Sequence, residues 1–575
     1  MADAGTPQNP GTPQNPGTPH TTADPHTRVP EPGTDLGAYV DDLIAGYSGS
    51  NVSAAHLLCD RHAPDSVAFT VIDAELGSVD ITFGELRTRS EQGAAALAEL
   101  GVGPGDAVAT LMGKSADLVY TLVSIWRLGA VHVPLFTAFA WPAIELRMSG
   151  SGAKVVVADP GQRDKIEDPV GAKIVIADGG TGAVGRDGDL ALSTLVDAQR
   201  PGRPAAVTGS DAPLVMIFTS GTTGKPKGVP VPVYSLASFH EYVQLGLDVR
   251  DTDVFWNAAD PGWAYGLYYG ILGPLTLGRR SLLLSSGFSP ELSARVIEHF
   301  GVTNFAAAPT VYRSMRAKAD ALPASLPLRR ASSAGEPLTP EVIEWSQQIF
   351  GVPVRDHYGQ TEHGMMIING WHESIQRPLR DGSMGHTLPG WTAAVLSEDS
   401  TDVLPAGEVG RVAIDVPASP LMWFRSYHEA PEKTAERFAD DGRWYLTGDA
   451  GRTDDEGYYY FSSRDDDVIL MAGYRIGPFD VESVLSTHPA VAESAVIGVP
   501  DELRGEVLEA YVVLRTGIAG GEELTDELQK HVKTGFAAHA YPRVVHFVDE
   551  LPKTPSGKIQ RFLLRKQRAT EVRGD

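Results

Sequence analysis

A short stretch at residues 217–232, IFTSGTTGKPKGVPVP, combines glycines, hydroxyl-bearing residues and lysines. Glycines let backbone amides point at an anion, and threonine hydroxyls and lysines add donors and positive charge. The stretch is not a Walker loop, because Pro226 stands where that pattern requires a glycine before its lysine and hydroxyl residue. A flexible surface turn would have a similar composition, but the apolar run directly before the stretch favours a loop that binds phosphate.

Such a loop needs a rigid element before it, and the run PLVMIFTS is typical of a buried strand. We therefore expect a loop from Thr219 to Gly228 that leaves the end of a strand. Earlier in the chain, ITFGELRTRSEQGAAALAELGVGPGDAVATLM indicates a strand, a helix, a turn and a second strand. Helices that alternate with β-branched runs predict parallel sheets covered by helices, which is the α/β class. Ligands of such sheets bind in loops beyond the carboxyl ends of the strands.

Three segments differ in composition along the 575 residues, a length that exceeds what one hydrophobic core supports. Residues 1–34 contain the repeat GTPQNPGTPQNPGTPH, which predicts a disordered tail. Residues 35–462 carry the alternating pattern and are predicted to form a large domain of helix-covered, mainly parallel sheets. Residues 463–575 show a compact β-α-β pattern followed by a helix and a basic end, which predicts a small α+β domain.

The composition excludes several classes of protein. Apolar residues make up 42% of the chain and charged residues 21%, as in a globular protein. The formal charge of −25 argues against nucleic acid as a partner. We find no apolar run long enough for a membrane span and no secretory signal at the N-terminus. The single cysteine, Cys59, leaves no intramolecular disulfide and predicts a cytoplasmic protein.

Four further motifs follow the glycine-rich loop in order: SSAGEPL, DHYGQTEHG, WYLTGDAGRTDDEGYYYFSSRDDD and LPKTPSGKIQR. Together the five motifs resemble the adenylate-forming superfamily, which includes acyl-CoA synthetases, luciferases and peptide-synthetase adenylation domains. The resemblance spans residues 35–570. It implies a loop that holds the β- and γ-phosphates of ATP while a carboxylate attacks the α-phosphate.

The resemblance implies ATP-binding residues in each motif. The phosphate loop would contribute Thr219, Ser220, Gly221, Thr222, Thr223, Gly224 and Lys225. Gly335, Glu336 and Pro337 would lie along the adenine. Asp356, His357, Tyr358, Gly359, Gln360 and Thr361 would surround the adenine and the phosphates, with Tyr358 stacked on the base. Asp449 would accept both ribose hydroxyls, and Arg464 and Arg475 would reach the ribose and a phosphate.

By the same resemblance the chemistry depends on Lys558, Thr361 and Glu362. Lys558 would lie between the attacking carboxylate and the polyphosphate, screen their repulsion and stabilise the charge that develops on the α-phosphate. Thr361 would contact a phosphate, and Glu362 would hold Mg²⁺, a hard cation that prefers carboxylate oxygen. Because the charge of Lys558 would be essential, a lysine acetyltransferase that modifies it is a predicted regulatory partner.

In acyl-CoA synthetases the small domain is mobile and rotates after adenylation to admit CoA. For this chain the resemblance implies a pivot at Asp466, a thiol channel at Gly473 and a contact of Lys533 with the CoA phosphates. The implied substrates are ATP with Mg²⁺, a small carboxylic acid and CoA. Two alternatives stay open: an adenylating enzyme that passes the acyl group to a carrier-protein thiol or an amine, and a binding protein without turnover. The oligomeric state is not predicted.

The acid is predicted from a likeness to medium-chain acyl-CoA synthetases through HYGQTEHG, GYRIGPFDVESVL and HPAVAESAVIG. Acetate-specific relatives carry a tryptophan where this chain has Gly359, so the glycine is expected to leave the acyl pocket open. Trp263, Tyr265, Gly266 and Leu267 would supply an apolar and aromatic lining. We therefore expect a short- or medium-chain, branched or aryl acid longer than acetate.

Overall fold

The computed structural model describes residue 30 and residues 33–168, 171–219, 226–464, 467–471, 474–501, 504–537, 540–554 and 558–574. Within these residues the strands form three sheets, two before residue 465 and one after it. No helix in this part of the chain is both long enough and apolar enough to cross a bilayer.

The strands are numbered in chain order. The first half comprises β1 (Val67–Ile72), β2 (Ser78–Thr82), β3 (Ala107–Leu111), β4 (Val131–Pro134), β5 (Val155–Ala158), β6 (Lys173–Ile176), β7 (Leu190–Ala191), β8 (Pro213–Thr219), β9 (Lys227–Pro232), β10 (Phe255–Asn257), β11 (Ser281–Leu284), β12 (Asn304–Ala307) and β13 (Arg330–Ala334). The second half comprises β14 (Arg355–Gln360), β15 (Gly364–Ile368), β16 (Ser383–Thr387), β17 (Ala393–Leu396), β18 (Gly410–Asp415), β19 (Phe438–Ala439), β20 (Trp444–Thr453), β21 (Tyr459–Arg464), β22 (Ile469–Met471), β23 (Tyr474–Ile476), β24 (Val491–Asp501), β25 (Gly505–Leu514) and β26 (Val544–Phe547).

The helices cover these sheets. They are α1 (Leu36–Tyr47), α2 (Phe83–Glu99), α3 (Ala116–Arg127), α4 (Trp141–Ser151), α5 (Leu192–Asp197), α6 (Leu236–Glu241), α7 (Ala264–Gly266), α8 (Gly273–Leu277), α9 (Pro290–Phe300), α10 (Pro309–Ala317), α11 (Pro340–Phe350), α12 (Pro431–Ala435), α13 (Pro478–Ser486), α14 (Glu522–Gly535) and α15 (Arg561–Gly574). Their ends follow local chemistry: Thr82 and Ser115 cap α2 and α3 by accepting backbone N–H bonds from Glu85 and Leu118.

The first sheet confirms the predicted alternation of strands and helices. Its order among the described residues is β7-β6-β5-β3-β4-β8-β9, and all neighbours are parallel except β8 and β9. These strands are almost wholly apolar and buried; β3 and β5, for example, have no exposed residue. Burial on both faces explains why their sequences are continuous apolar runs rather than alternating ones.

The second sheet is only partly parallel, which differs from the expectation for the large domain. Strands β1, β11, β10, β12, β13 and β14 pair in parallel. Beyond β14 the sheet continues through β15, β16, β21, β20, β18 and β17, and those pairs are antiparallel. The predicted candidate motifs around Asp356 and Asp449 lie on either side of this change in strand direction.

The third sheet belongs to the C-terminal domain, where β23-β22-β25-β24 pair in that order and β26 adds to β25. Its core includes Val481 of α13, Val496 of β24 and Leu528 of α14, all fully buried. The strand β21 crosses the predicted boundary between residues 462 and 463. The two domains touch where the Ser486 hydroxyl donates to Oε2 of Glu341, at 3.0 Å.

Candidate active site

The two strands that flank the predicted phosphate loop, β8 and β9, pair in an antiparallel manner. Thr219 is the last residue of β8 and pairs with Lys227, the first residue of β9. The strands therefore take up both ends of the predicted Thr219–Gly228 loop. Ser220, Gly221, Thr222, Thr223, Gly224 and Lys225 lie outside the described residues, so their role stays a prediction.

Asp449 joins three of the predicted nucleotide-binding side chains. Its Oδ2 accepts the hydroxyl of Tyr358 and the amide of Gln360, each at 2.6 Å. Its Oδ1 lies 3.1 Å from Nη1 of Arg464, which is the opposite residue in the β20–β21 ladder. Only 3% of Asp449 is exposed. Side chains from two motifs, DHYGQTEHG and WYLTGDAGRTDDEGYYYFSSRDDD, thus meet at one carboxylate.

The DHYGQTE motif lies on strand β14 up to Gln360, and β14 pairs with β13 on one side and with β15 on the other. Side chains alternate along a strand, so Asp356 and Tyr358 lie on one face and His357 on the other. The Nδ1 atom of His357 lies 2.7 Å from the Tyr242 hydroxyl, and desolvation lowers its pKa to about 3. The His357 side chain therefore points away from Asp356 and Tyr358, and the place of residue 357 at the nucleotide stays a prediction.

Asp356 is a buried carboxyl with unused hydrogen-bonding capacity. The Leu338 N–H donates to its Oδ2 at 3.4 Å, whereas Oδ1 has no hydrogen-bond partner among the described residues. Burial raises the pKa of Asp356 to about 8. A buried oxygen without a partner is costly, so the position suits a group that hydrogen bonds with a bound base.

The SSAGEPL motif begins within β13, which ends at Ala334, and two side chains of α10 hold its glutamate in place. Glu336 accepts the Thr310 hydroxyl at 2.9 Å and the Arg313 guanidinium at 2.5 Å. Gly335 has a φ of 101°, and a Cβ there would meet no atom within 4 Å. Gly335 is exposed and therefore presents an open surface, which suits a flat ring.

Glu362 is oriented by a residue that the motifs did not identify. The Tyr427 hydroxyl donates to its Oε1 at 2.7 Å, and Nε of Arg437 lies 3.3 Å from the same hydroxyl. The Lys227 ammonium lies over the Tyr427 ring, 4.3 Å from its centre. No sequence motif contains Tyr427 or Arg437. Lys227 belongs to the glycine-rich stretch, so the sequence was sufficient to identify it as a candidate site residue.

The surroundings of Glu362 fit the predicted Mg²⁺. No group of three or more His, Cys, Asp or Glu with metal-binding geometry occurs in the part of the chain that is described. Magnesium in nucleotide enzymes is commonly bound through one or two carboxylates plus phosphates and waters, so Glu362 beside Thr361 is a sufficient protein contribution. The Tyr427 bond occupies one carboxylate oxygen, Oε1, and holds the group in place.

Lys558 reaches this site from the C-terminal domain. It is exposed, yet the protein around its ammonium displaces water, and this desolvation is the main cause that lowers its pKa. Glu336, Asp449 and Glu362 act in the opposite direction, and Arg464 adds to the lowering. Lys558 therefore lies within electrostatic range of three predicted nucleotide-binding motifs.

The residues predicted to line the acyl pocket have different surroundings in the structure. The Trp263 ring lies against Phe136 and Phe139, at centroid distances of 5.2 and 5.6 Å. The Tyr265 hydroxyl is 3.2 Å from that of Tyr242, which links it to His357. A Cβ on Gly266 would lie 2.2 Å from the Asp260 carbonyl oxygen, so this glycine allows close backbone packing.

Gly359 does not have the role that the sequence predicts. A Cβ at this position would lie 2.1 Å from the carbonyl oxygen of Gly364 and 2.7 Å from Cα of Met365. The β14–β15 register shifts between Tyr358 and Gly359, which brings the two backbones together. Gly359 therefore accommodates the neighbouring strand and does not by itself leave open space for a longer acid.

The residues predicted for the second half-reaction are less fully described. Asp466 and Gly473 lie outside the described residues, and Arg475 is placed in β23 without a described side chain. Lys533 lies on α14, with its ammonium 3.8 Å from the centre of the Tyr541 ring. The Arg543 guanidinium lies at the same distance from that ring. A pair of cations therefore surrounds Tyr541 on the small domain.

Comparison with known proteins agrees with this geometry. The family described as AMP-binding enzyme matches residues 59–427, and the AMP-binding enzyme C-terminal domain matches residues 480–558. The acetyl-coenzyme A synthetase of Bacillus subtilis is 35% identical over 91% of this chain and 92% of its own. A crystal structure of an acyl-CoA synthetase from Brucella canis is 42% identical, with a TM-score of 0.73, and covers 94% of this chain and 100% of that one.

A third comparison has the same arrangement with lower identity. The anthranilate CoA ligase AuaEII, in complex with anthranoyl-AMP, is 28% identical, with a TM-score of 0.82 over 92% of this chain and 99% of that one. Its fold and those of the other relatives confirm the predicted α/β class with a large N-terminal and a smaller C-terminal domain. The chain belongs to the AMP-binding enzyme family and is an ATP-dependent, AMP-forming acid–CoA ligase.

Proposed function

We propose that Lys558 is the catalytic cation of the adenylation step and that the acid is larger than acetate. The observation that carries the first part is the position of Lys558, which lies in electrostatic range of Glu336, Asp449 and Glu362 although it comes from another domain. In this step a carboxylate oxygen of the acid attacks the α-phosphorus of ATP and pyrophosphate leaves. A positive charge at the α-phosphate stabilises the charge that develops there.

Asp449 holds the nucleotide through its ribose in this proposal. Its carboxylate lies beside Arg464 and has a fixed orientation because Tyr358 and Gln360 both donate to it. An oriented carboxylate is a strong acceptor for a pair of hydroxyl groups. Tyr358 would lie against the base, and the unused Oδ1 of Asp356 would face the polar edge of the adenine.

Thr361 and Glu362 contact the phosphates and the metal in this proposal. Mg²⁺ bound between Glu362 and the phosphates would neutralise charge on the departing pyrophosphate. The Tyr427 hydroxyl keeps one carboxylate oxygen of Glu362 in a fixed direction. The predicted phosphate loop, from Thr219 to Lys225, would enclose the β- and γ-phosphates from the β8–β9 hairpin.

The second half-reaction transfers the acyl group to CoA. The thiol sulfur of CoA attacks the acyl carbon, and AMP leaves with the carboxylate-derived oxygen. Gly473 is proposed to line the thiol channel, Asp466 to be the pivot of a mobile C-terminal domain and Arg475 to contact the nucleotide. Lys533 is proposed to bind CoA phosphate, because it is exposed and lies beside a second cation, Arg543.

The proposed acid is a short- or medium-chain, branched or aryl carboxylic acid. Support comes from the aromatic side chains Trp263 and Tyr265, together with Phe136 and Phe139, rather than from Gly359. The anthranilate CoA ligase shows that an aryl acid is compatible with this fold in a relative. Each buried CH₂ contributes about 0.8 kcal/mol, so three further carbons could favour the longer acid by about 50-fold in kcat/KM.

A panel of acids tests this proposal. Pyrophosphate release is measured with acetate, butyrate, hexanoate, octanoate and benzoate, and AMP release is then measured with and without free CoA. We expect a higher kcat/KM for at least one larger acid than for acetate, and AMP release that depends on CoA. A preference for acetate would contradict the proposed substrate class.

Two further parts of the proposal concern the cell. Lysine acetylation of Lys558 would remove its charge, so an acetyltransferase that modifies it would silence adenylation. Full activity of stoichiometrically acetylated protein would contradict this regulation. A cytoplasmic location is proposed because Cys59 is a buried free thiol and the substrates include ATP and CoA.

A further inference from the structure

Arg561, three residues after Lys558, connects this part of the chain to two segments that are distant in sequence. Arg561 is the first residue of α15, and it pairs with Glu482 of α13 in a bidentate manner. Its Nη2 lies 2.6 Å from Oε2 of Glu482 and its Nε lies 3.1 Å from Oε1. The Arg561 side chain is 18% exposed and that of Glu482 8%. A bidentate pair with little exposure fixes direction as well as distance.

The same arginine also reaches the segment next to the predicted pivot. Nη1 of Arg561 lies 3.5 Å from Oδ2 of Asp467, and Nη1 of Arg565 lies 2.7 Å from Oδ1 of the same carboxylate. Asp467 directly follows Asp466 in the chain and is 13% exposed. We call the set of Arg561, Arg565, Asp467 and Glu482 the arginine clamp.

Backbone contacts connect the segment that carries Lys558 to residues 552–554. The Thr554 N–H donates to the Lys558 carbonyl at 2.8 Å, and the Lys558 N–H donates to the Thr554 hydroxyl oxygen at 3.0 Å. Lys553 and Ile559 form an antiparallel bridge, and the Gln560 N–H donates to the Pro552 carbonyl at 2.9 Å. The segment that carries Lys558 therefore leads directly into α15 at Arg561.

Residues 552–554 are also restrained by an ion pair of their own. Nζ of Lys553 lies 2.7 Å from Oε2 of Glu493 on β24, but both side chains are about one-third exposed, at 32% and 31%. An exposed ion pair contributes little, so it fixes these residues weakly. The less exposed Arg561–Glu482 pair of the arginine clamp is the stronger restraint on the segment that carries Lys558, because breaking a buried pair leaves an uncompensated charge.

We propose that Arg561 is a positioning residue for adenylation, and that the arginine clamp fixes the segment that carries Lys558 against Glu482 and Asp467. This inference rests on the proposed role of Lys558. A displacement of about 1 Å in a catalytic group can reduce a rate about 100-fold. The arginine acts through the position of Lys558 and has no contact with the substrates in this proposal.

The proposal differs from a merely structural role in what it predicts for the two half-reactions. Loss of the clamp should impair ATP–pyrophosphate exchange, where Lys558 acts. It should spare thioester formation from preformed acyl-AMP, where Lys558 is not needed. A general loss of folding in the C-terminal domain would impair both reactions together.

The test compares Arg561→Gln, Arg561→Lys and Asp467→Asn with Lys558→Ala and with the control Arg568→Gln. Arg568 also lies on α15 and pairs with Glu509, with Nε 2.8 Å from Oε2, but it is remote in sequence from Lys558. Exchange kinetics, thioester formation from synthetic acyl-AMP and the unfolding temperature are measured for each protein. Asp467→Asn keeps the proposal testable if Arg561→Gln fails to fold.

We expect Arg561→Gln to lower kcat for exchange by about 10- to 100-fold with the KM for ATP changed less than about 3-fold. Thioester formation by Arg561→Gln should stay near wild type, and Arg561→Lys should recover part of the lost exchange rate. The exchange rate of Asp467→Asn should fall about 3- to 10-fold, and that of Arg568→Gln should be normal. Combining Arg561→Gln with Lys558→Ala should cost no more than Lys558→Ala alone.

Equal losses in both half-reactions, additive losses in the double variant, or normal exchange in both Arg561→Gln and Asp467→Asn would overturn the arginine clamp. If exchange survives in Lys558→Ala, the proposed role of Lys558 fails and the clamp fails with it. If Lys558→Ala is inactive in exchange while both clamp variants are normal, the clamp alone fails.

Discussion

The hydroxyl of Tyr358 donates to Oδ2 of Asp449 at 2.6 Å, across two motifs that are 91 residues apart in the chain. Because Arg464 lies 3.1 Å from the other carboxylate oxygen, both oxygens of Asp449 have a partner. The carboxylate is thus fixed before any ribose binds. This preorganisation reduces the entropy that nucleotide binding must overcome.

Replacing Asp449 by asparagine should weaken ATP binding. The change removes the ion pair with Arg464 and replaces one acceptor oxygen by a donor group. A hydrogen bond to a charged group contributes about 1.5–3 kcal/mol, which corresponds to about a 10- to 100-fold rise in the KM for ATP. Exchange kinetics at varied ATP measure it, with the exposed Asp455→Asn on the same hairpin as control. An unchanged KM would exclude Asp449 as a nucleotide ligand.

Removing the Tyr427 hydroxyl should affect the metal rather than the nucleotide base. Tyr427→Phe keeps the ring beneath Lys227 but removes the bond to Oε1 of Glu362. We expect exchange to fall about 10-fold at low Mg²⁺, because Glu362 loses a net hydrogen bond of about 1 kcal/mol and its fixed direction. A Mg²⁺ titration of exchange measures this. Equal loss at all Mg²⁺ concentrations would disagree with a role through Glu362.

The buried Asp356 should make stability depend on pH in the nucleotide-free protein. Burial raises its pKa to about 8, above the ordinary value of 3.8, so the folded state binds its proton more tightly than the unfolded state. The stability contributed by protonated Asp356 is therefore fully present below about pH 4 and is lost as pH rises through about 8.

Asp356→Asn removes this titration while keeping the shape of the side chain. The stability of wild type minus that of Asp356→Asn should fall between about pH 4 and 8, which urea unfolding at several pH values measures. A constant or rising difference over that range would show that Asp356 is not a protonated buried group.

Gly359→Ala should damage ATP use rather than change the preferred acid. The added Cβ would meet the Gly364 carbonyl oxygen at 2.1 Å, so β14 and β15 must move apart. Overpacking of this kind costs about 1–3 kcal/mol. Gly287→Ala is the control, because a Cβ there meets no atom within 4 Å. Unfolding temperature and the KM for ATP measure the effect. An unperturbed protein with altered chain-length preference would restore Gly359 as a wall of the acyl pocket.

The sequence is sufficient to predict the α/β class, and the family resemblance assigns Tyr358 and Asp449 to the same nucleotide. It does not predict the hydrogen bond between these two side chains. It does not reveal Tyr427 and Arg437, which are single residues without a local pattern. The direction of the buried His357 side chain, towards Tyr242 and away from Tyr358, follows from alternation along β14 and requires that this strand is known. The space at Gly359 depends on a register shift, which only the paired backbones show.

The proposed role of Lys558 is tested most directly by separating the two half-reactions in Lys558→Ala, with the exposed Lys566→Ala as control. Acid-dependent ATP–pyrophosphate exchange is measured beside thioester formation from synthetic acyl-AMP and CoA. We predict that exchange falls by about 100- to 1,000-fold while thioester formation is retained, because one charge at the α-phosphate acts in adenylation only. Equal losses in both reactions, or exchange at the wild-type rate, would contradict Lys558 as the catalytic cation of adenylation.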